Sequence, residues 1–257
     1  IRKKIKKVKK KNKIINLDSQ KSIINKLEFS LTKDQTKTLI EINKDLASNQ
    51  KMFRLLQGDV GSGKTIVSLI SALNTINSGF QVAVMAPTEI LARQHYNLAK
   101  KIYPKNIKIE IISSKSDYKN KKEILNNLKN NTINIIFGTH AIFQKKVIFG
   151  KLGLIIIDEQ HKFGVNQRKK LSDKGGEDCD VLLMTATPIP RTLTMTIYGD
   201  MDISIIREKP KIRKPIKTYS KPENKIEEVL KFITKQLKNG NQVFWVCPLI
   251  EESKKLD

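Results

Sequence analysis

The sequence predicts an α/β fold: a parallel sheet with helices on both faces, followed by the start of a second unit of the same kind. Three observations predict it. Six short, mostly apolar runs recur between residues 53 and 185, and most are separated by segments long enough to be helices. Short buried runs alternating with helices are the pattern of a parallel sheet covered on both faces. A glycine-rich loop, Gly58-Asp59-Val60-Gly61-Ser62-Gly63-Lys64-Thr65, joins the first run to the first of those helical segments.

Residues 1–13 contain nine Lys or Arg and no acid. Ile1, Ile5, Val8, Ile14 and Ile15 are spaced by three, four and seven, which suggests a basic amphipathic helix, so residues 1–28 read as a linker helix or tail. From Leu27 the pattern becomes globular. The strand candidates are 53–57, 81–86, 107–112, 133–138, 154–158 and 181–185, and the helix candidates between them include 64–77, 89–101 and 119–129. A first domain over 29–208 follows. Lys209-Pro210-Lys211 and Arg213-Lys214-Pro215 then read as an extended basic linker, because each proline disfavours helix at the residue before it. One helical pattern (222–238), a stop at Asn239-Gly240 and one more strand (242–247) close the chain. One helix and one strand cannot make a domain, so 209–257 reads as a linker and the truncated start of a second domain.

Composition bounds the function. The 257 residues are 39% hydrophobic, enough to bury a core, and no apolar run approaches the roughly 20 residues that span a bilayer. No apolar stretch follows the basic N-terminus, so no signal peptide is expected. A start at Ile rather than Met suggests a fragment or processed chain. Cys179 and Cys247 stand 68 residues apart, with no metal-type spacing, which fits a reduced, cytoplasmic protein. No membrane partner is expected, and a monomer is. The net charge of +24 is a footprint expected of nucleic-acid binding. Lys, however, outnumbers Arg 42 to 7, so a lysine-biased solvated surface is the alternative reading.

The loop Gly58–Thr65 matches G-x-x-x-x-G-K-[ST] at every fixed position and sits between a strand and a helix, the context that this phosphate-binding loop requires. Gly58, Gly61, Ser62 and Gly63 let the backbone wrap phosphate oxygens, and the helix N-terminus favours anions. Lys64 reaches the β- and γ-phosphates of ATP, and the Thr65 hydroxyl ligates Mg²⁺. About 95 residues on, an apolar strand delivers Asp158 and Glu159 at its C-terminal end, the edge where open α/β sheets bind ligands. Asp158 suits Mg²⁺, and Glu159 suits the base that orients and deprotonates water. After the next apolar strand come Thr185 and Thr187, hydroxyls able to bond a neighbouring carboxylate and sense a γ-phosphate. No Ser nucleophile elbow and no zinc spacing of His and Cys is present.

The phosphate loop, Asp158-Glu159-Gln160-His161 and Thr185-Ala186-Thr187-Pro188 together resemble motifs I, II and III of the superfamily-two helicases. Ala86-Pro87-Thr88-Glu89-Ile90-Leu91-Ala92, Gly138-Thr139-His140-Ala141, Tyr198-Gly199-Asp200-Met201-Asp202 and the run Trp245–Ser253 narrow the resemblance to members that remodel branched DNA. It covers the chain from about Phe29 onward. The motors of transcription-repair coupling factors share the Gly-Asp-Val-Gly loop, but usually carry a second Glu and then Gln-Arg where this chain has Gln160-His161-Lys162, and a Tyr at Ser62. A P-loop kinase or small-molecule ATPase, or a decayed scaffold, is a more distant alternative. Lys162 stands where the family commonly has Arg, which keeps the charge and loses the bidentate fork.

The resemblance implies a RecA-like ATPase that translocates on double-stranded DNA and acts on forks and Holliday junctions in recombination and repair. It implies that Phe29 stacks on adenine and Gln35 pairs with its edge. Pro87, Thr88, Gly138, Thr139 and His140 are implied to grip the DNA backbone, and Gln160 and His161 to couple nucleotide state to the DNA side. His95 is expected to pack or cap its helix. The second motor domain of that family supplies an arginine finger, so the 257 residues alone are expected to hydrolyse ATP poorly.

Overall fold

The computed structural model of the chain describes residues 9–112, 118–159, 176–187, 201–208 and 216–246. The chain divides into two units, 1–211 and 212–257. In the first, the described strands are β1 (Phe53–Gly58), β2 (Gln81–Met85), β3 (Ile109–Ile112), β4 (Ile135–Gly138), β5 (Leu152–Ile157), β6 (Asp180–Thr185) and β7 (Asp202–Ile206). They form one sheet in the order β3-β4-β2-β5-β6-β1-β7, and every neighbouring pair is parallel. Its helices are α1 (Leu17–Ile24), α2 (Lys33–Ala47), α3 (Lys64–Asn77), α4 (Glu89–Ile102) and α5 (Tyr118–Lys129).

The apolar runs form strands because both sheet faces are covered. In β5 every residue is buried, and successive side chains point to opposite faces. Leu154 and Ile156 join a layer with Ile42 and Leu46 of α2 and Val67 and Ile70 of α3. Ile155 and Ile157 join the opposite layer with Leu128 of α5 and Ile142. Helix α3 runs nearly buried throughout, and its interior polar residues are small, such as Ser68, Ser71 and Thr75. Helix α2 opens with a capping box: Thr32 Oγ1 accepts from the Gln35 backbone N–H, and Gln35 Oε1 accepts from the Thr32 N–H.

Strand β5 starts two residues earlier than its sequence suggests, and β3 and β4 start two residues later. Strand β7 has no counterpart in the sequence reading. Its residues, Asp-Ile-Ser-Ile-Ile, carry two polar side chains and lie at the sheet edge, where Asp202 is exposed and Ser204 buried. Helix α2 is an addition too, while α1 lies within the 1–28 segment read as a linker helix or tail and packs Ile23 into the layer around α3.

The N-terminal segment corrects an expectation. Residues 9–16 are not helical: Lys9 makes an isolated antiparallel bridge to Gln50, and the Lys13 N–H donates to Leu46 O at 3.0 Å. The cause is a buried charge cluster. Lys10 Nζ bonds both Asp180 carboxylate oxygens at 2.7 Å, and Lys13 Nζ lies 3.0 Å from one of them, with all three side chains fully buried. Asp180 also accepts from the Met52 N–H at 2.7 Å. Burial holds the Lys10 ammonium pKa below the usual lysine range, against the opposing pull of Asp180. Two cations converging on one acid require an extended chain laid along the start of β6.

The second unit contains a 3-10 turn (Glu223–Lys225) and α6 (Ile226–Lys238). The expected strand 242–247 is not formed over its described part, and Phe244, Trp245 and Val246 are exposed. A strand needs a neighbour to take its N–H and C=O groups, and the described residues of this unit offer none. Among the described residues no helix is long and apolar enough to cross a membrane. Cys179 is a free, buried thiol whose pKa burial pushes up to about 12, an inert core residue.

The cluster yields a stability test. Asp180→Ala leaves two buried ammonium groups without their acid and should cost about 3–5 kcal/mol in a denaturant titration. A loss below about 1 kcal/mol would show that the Lys10 and Lys13 charges reach solvent.

Candidate active site

A parallel sheet brings the C-terminal ends of all its strands to one edge. Here β1 ends in the loop at Gly58, β5 ends before Asp158 and Glu159, and β6 ends before Thr187. These three strands are contiguous in the order β5-β6-β1. On the other side of β5 lies β2, then β4, whose ends lead to Pro87-Thr88 and to Thr139-His140.

The loop has the backbone expected of a phosphate cradle. Gly61 and Gly63 take φ of 77° and 87°, in the left-handed region open to glycine. Gly63 is the N-cap of α3 and supplies no side-chain cap, so the first-turn N–H groups remain available to an anion. Lys64 Nζ donates to Gly58 O at 2.6 Å and Asp59 O at 3.1 Å. Burial lowers the Lys64 pKa, while Glu159, Asp158 and Asp59 act to raise it, so three carboxylates face this ammonium. Ser62 is buried and its Oγ has no hydrogen-bond partner among the described residues. An orphaned hydroxyl beside an uncapped helix N-terminus and a lysine fits a polyphosphate. Thr65, the next residue of α3, is half-buried.

Gln35 departs from its expected role. Its carboxamide is 1% exposed, with Oε1 on the Thr32 N–H and Nε2 donating to Ser62 O at 2.8 Å. A Cβ at Gly63 would collide with that same Nε2. Gln35 therefore braces the phosphate loop and is not turned outward to a base edge. Phe29 is 42% exposed.

Asp158 is clamped. Its N–H donates to Met85 O of β2 at 2.8 Å. Its Oδ1 accepts from the Glu159 N–H at 3.0 Å, and its Oδ2 lies 2.8 Å from His95 Nε2. Glu159 takes φ of 50°, a left-handed conformation that few non-glycine residues adopt and that turns the chain sharply at the end of β5. The sequence expectation for His95 is packing or a helix cap, and the structure adds a carboxylate partner, Asp158. The signal that marks His95 is its place on the buried stripe of α4, with Ala92, Ala99 and Ile102, where a polar ring needs a partner.

Thr185 and Thr187 bond each other, Oγ1 to Oγ1 at 2.9 Å, and the Thr187 N–H donates to Thr185 Oγ1 at 3.2 Å. They pair mutually, where a carboxylate contact was expected. Gln160 and His161 lie outside the described residues.

The residues expected on DNA are local to one another at the ends of β2 and β4, whose loops are linked by the Ala86 N–H donating to Gly138 O at 3.0 Å. Thr88 is the N-cap of α4 and accepts from the Leu91 N–H at 3.3 Å. Pro87 and Thr139 are half-buried, and Thr88 and His140 are exposed. Gly138 is buried, and a Cβ there would meet Ile112 O at 2.8 Å, so its glycine serves packing between β3 and β4.

No group of three His, Cys, Asp or Glu able to cage a metal occurs among the described residues. One carboxylate and one hydroxyl, Asp158 and Thr65, are instead the donor set that suits Mg²⁺ shared with substrate phosphates.

Comparison with known proteins agrees with this geometry. Residues 32–196 match the DEAD/DEAH box helicase family. The chain is 50% identical over 235 residues to the ATP-dependent DNA helicase RecG of Bacillus subtilis, covering 91% of this chain and 34% of that protein. It is 47% identical over 244 residues to RecG of Borreliella burgdorferi, covering 95% of this chain and 35% of that protein. A solved structure of RecG bound to a three-way DNA junction matches with a TM-score of 0.82 and 38% identity, covering 97% of this chain and 33% of that one. The chain thus spans about a third of the length of the curated relatives it matches. The fold is RecA-like, and the chain belongs to the DEAD/DEAH box helicase family, with similarity to the RecG helicases along nearly all of its length.

Proposed function

We propose that the chain is the ATP-binding part of a DNA helicase motor that remodels branched DNA, including forks and Holliday junctions, in recombination and repair. The observation that carries this reading is a phosphate loop and an Asp-Glu pair on one sheet edge, in a chain 38% identical over 97% of its length to a RecG solved on a three-way DNA junction.

In this reading ATP lies with its phosphates on the N–H groups of Gly61, Ser62, Gly63 and the first turn of α3. The Lys64 ammonium leaves the carbonyls of Gly58 and Asp59 for the β- and γ-phosphates, exchanging two backbone hydrogen bonds for charge-assisted ones. Phe29 stacks on the base. Thr65 and Asp158 would hold Mg²⁺, which neutralises phosphate charge when bound. Glu159 orients the attacking water and takes its proton, the role its carboxylate chemistry suits once Asp158 is committed elsewhere. Pro87, Thr88, Thr139 and His140 hold the DNA backbone one and two strands away from Asp158. Hydroxyls and backbone N–H groups suit phosphates and carry no sequence information, as a motor that moves along DNA requires. Gln160, His161, Thr185 and Thr187 relay nucleotide state to that side.

Two tests follow from these roles. Glu159→Gln in the full-length protein should keep Mg-ATP binding and lower turnover by about 10²–10⁴-fold; loss of nucleotide binding would make Glu159 a structural residue. ATP turnover should rise when a three-way junction is added, and the rise should fade with added salt, because phosphate contacts release counterions. Equal turnover with and without DNA would leave a P-loop ATPase of another kind.

A further inference from the structure

His95 occupies a position where chain packing alone would favour an aliphatic side chain. It shares the inward stripe of α4 with Ala92, Ala99 and Ile102 and is 7% exposed. An imidazole there costs stability unless its nitrogens are bonded. Its Nε2 reaches Asp158 Oδ2 at 2.8 Å, and Asp158 is itself 7% exposed. An ionised carboxylate only accepts, so Nε2 carries the proton in this bond. The other carboxylate oxygen, Oδ1, takes the Glu159 N–H at 3.0 Å. With one bond on each oxygen, the carboxylate plane is held in a single orientation. The two bonds come from different elements: one from the residue that follows Asp158, the other from a helix 63 residues upstream.

We infer that His95 is a positioning residue: it sets the orientation in which the Asp158 carboxylate takes Mg²⁺. The inference rests on the nucleotide-site reading above. The imidazole is not itself a ligand, since Mg²⁺ prefers oxygen and Nε2 is engaged by the carboxylate. A partner that orients a metal-binding side chain is worth about 10–100-fold in metal affinity. A purely structural His95 would behave otherwise. Leu has a similar volume, suits the apolar stripe and would leave metal binding unchanged.

The test uses the full-length protein and a fluorescent ATP analogue titrated with Mg²⁺ and, separately, in chelator. His95→Leu should raise the Mg²⁺ midpoint by about 10–100-fold while leaving chelator binding unchanged, and His95→Gln, which retains an N–H donor, should stay within about threefold of wild type. A folded His95→Leu protein with the wild-type midpoint overturns the inference and leaves the site reading standing. A wild-type protein whose nucleotide binding ignores Mg²⁺ overturns both. Should His95→Leu fail to fold, ¹⁵N-histidine spectra of the wild type decide: the His95 ring signals should move when Mg²⁺ joins the nucleotide complex, and unmoved signals overturn the inference.

Discussion

The arrangement depends on one constraint, that all described strands of the sheet run in parallel. Parallel strands place every loop that leaves a C-terminal end on the same edge, so residues far apart in sequence become neighbours there. The order then sorts them. The loop after β1, the acids after β5 and the threonines after β6 lie together, with β5 in contact with β2 on its other side. The Asp158 N–H on Met85 O ties these halves by a backbone bond, and His95 ties them again through α4. Asp158 thus extends the pairing of β2 with β5 one residue beyond the strands and adds a side-chain link to α4.

Charge is distributed with the same economy. The basic N-terminus suggested a surface for polyanions, yet Lys10 and Lys13 point inward to Asp180, at the start of β6. Arg54 of β1 likewise pairs with Asp45 at 2.7 Å and Glu41 at 3.5 Å. These three cations and three acids cancel, so the net charge of +24 resides on the other residues; the residues proposed to hold DNA are nevertheless mostly hydroxyl, backbone and ring groups. At the sheet edge proposed to receive nucleotide, the buried Lys64 lies within electrostatic reach of Glu159, Asp158 and Asp59.

Much of this was legible before any coordinates. Strands buried on both faces must be apolar throughout, so β2, β4, β5 and β6 stand out from the chain. The phosphate loop stands out because close approach to an anion leaves only glycine and a lysine chemically suitable. What escaped the sequence depends on partners distant in the chain. Lys10 and Lys13 fall in a segment that reads as a basic amphipathic helix, because Asp180 lies about 170 residues away. Strand β7 escaped because an edge strand tolerates polar residues. Gln35 looked like a base-reading group, but its amide is held by Ser62 O. His95 gave only its place on a helix face. The strand expected at 242–247 is not formed over 242–246 for the converse reason: among the described residues no neighbouring strand pairs with it.

The most direct test of the central claim is equilibrium binding of a fluorescent ATP analogue to wild-type protein and to Lys64→Ala in the presence of Mg²⁺. Lys64 Nζ bonds the backbone carbonyls of Gly58 and Asp59 and lies at the mouth of an uncapped helix, so its removal should spare the fold. The account predicts wild-type binding and at least about a tenfold weaker affinity for the variant, the worth of one charge-assisted contact. Equal affinity in two equally folded proteins would contradict it and place the nucleotide elsewhere.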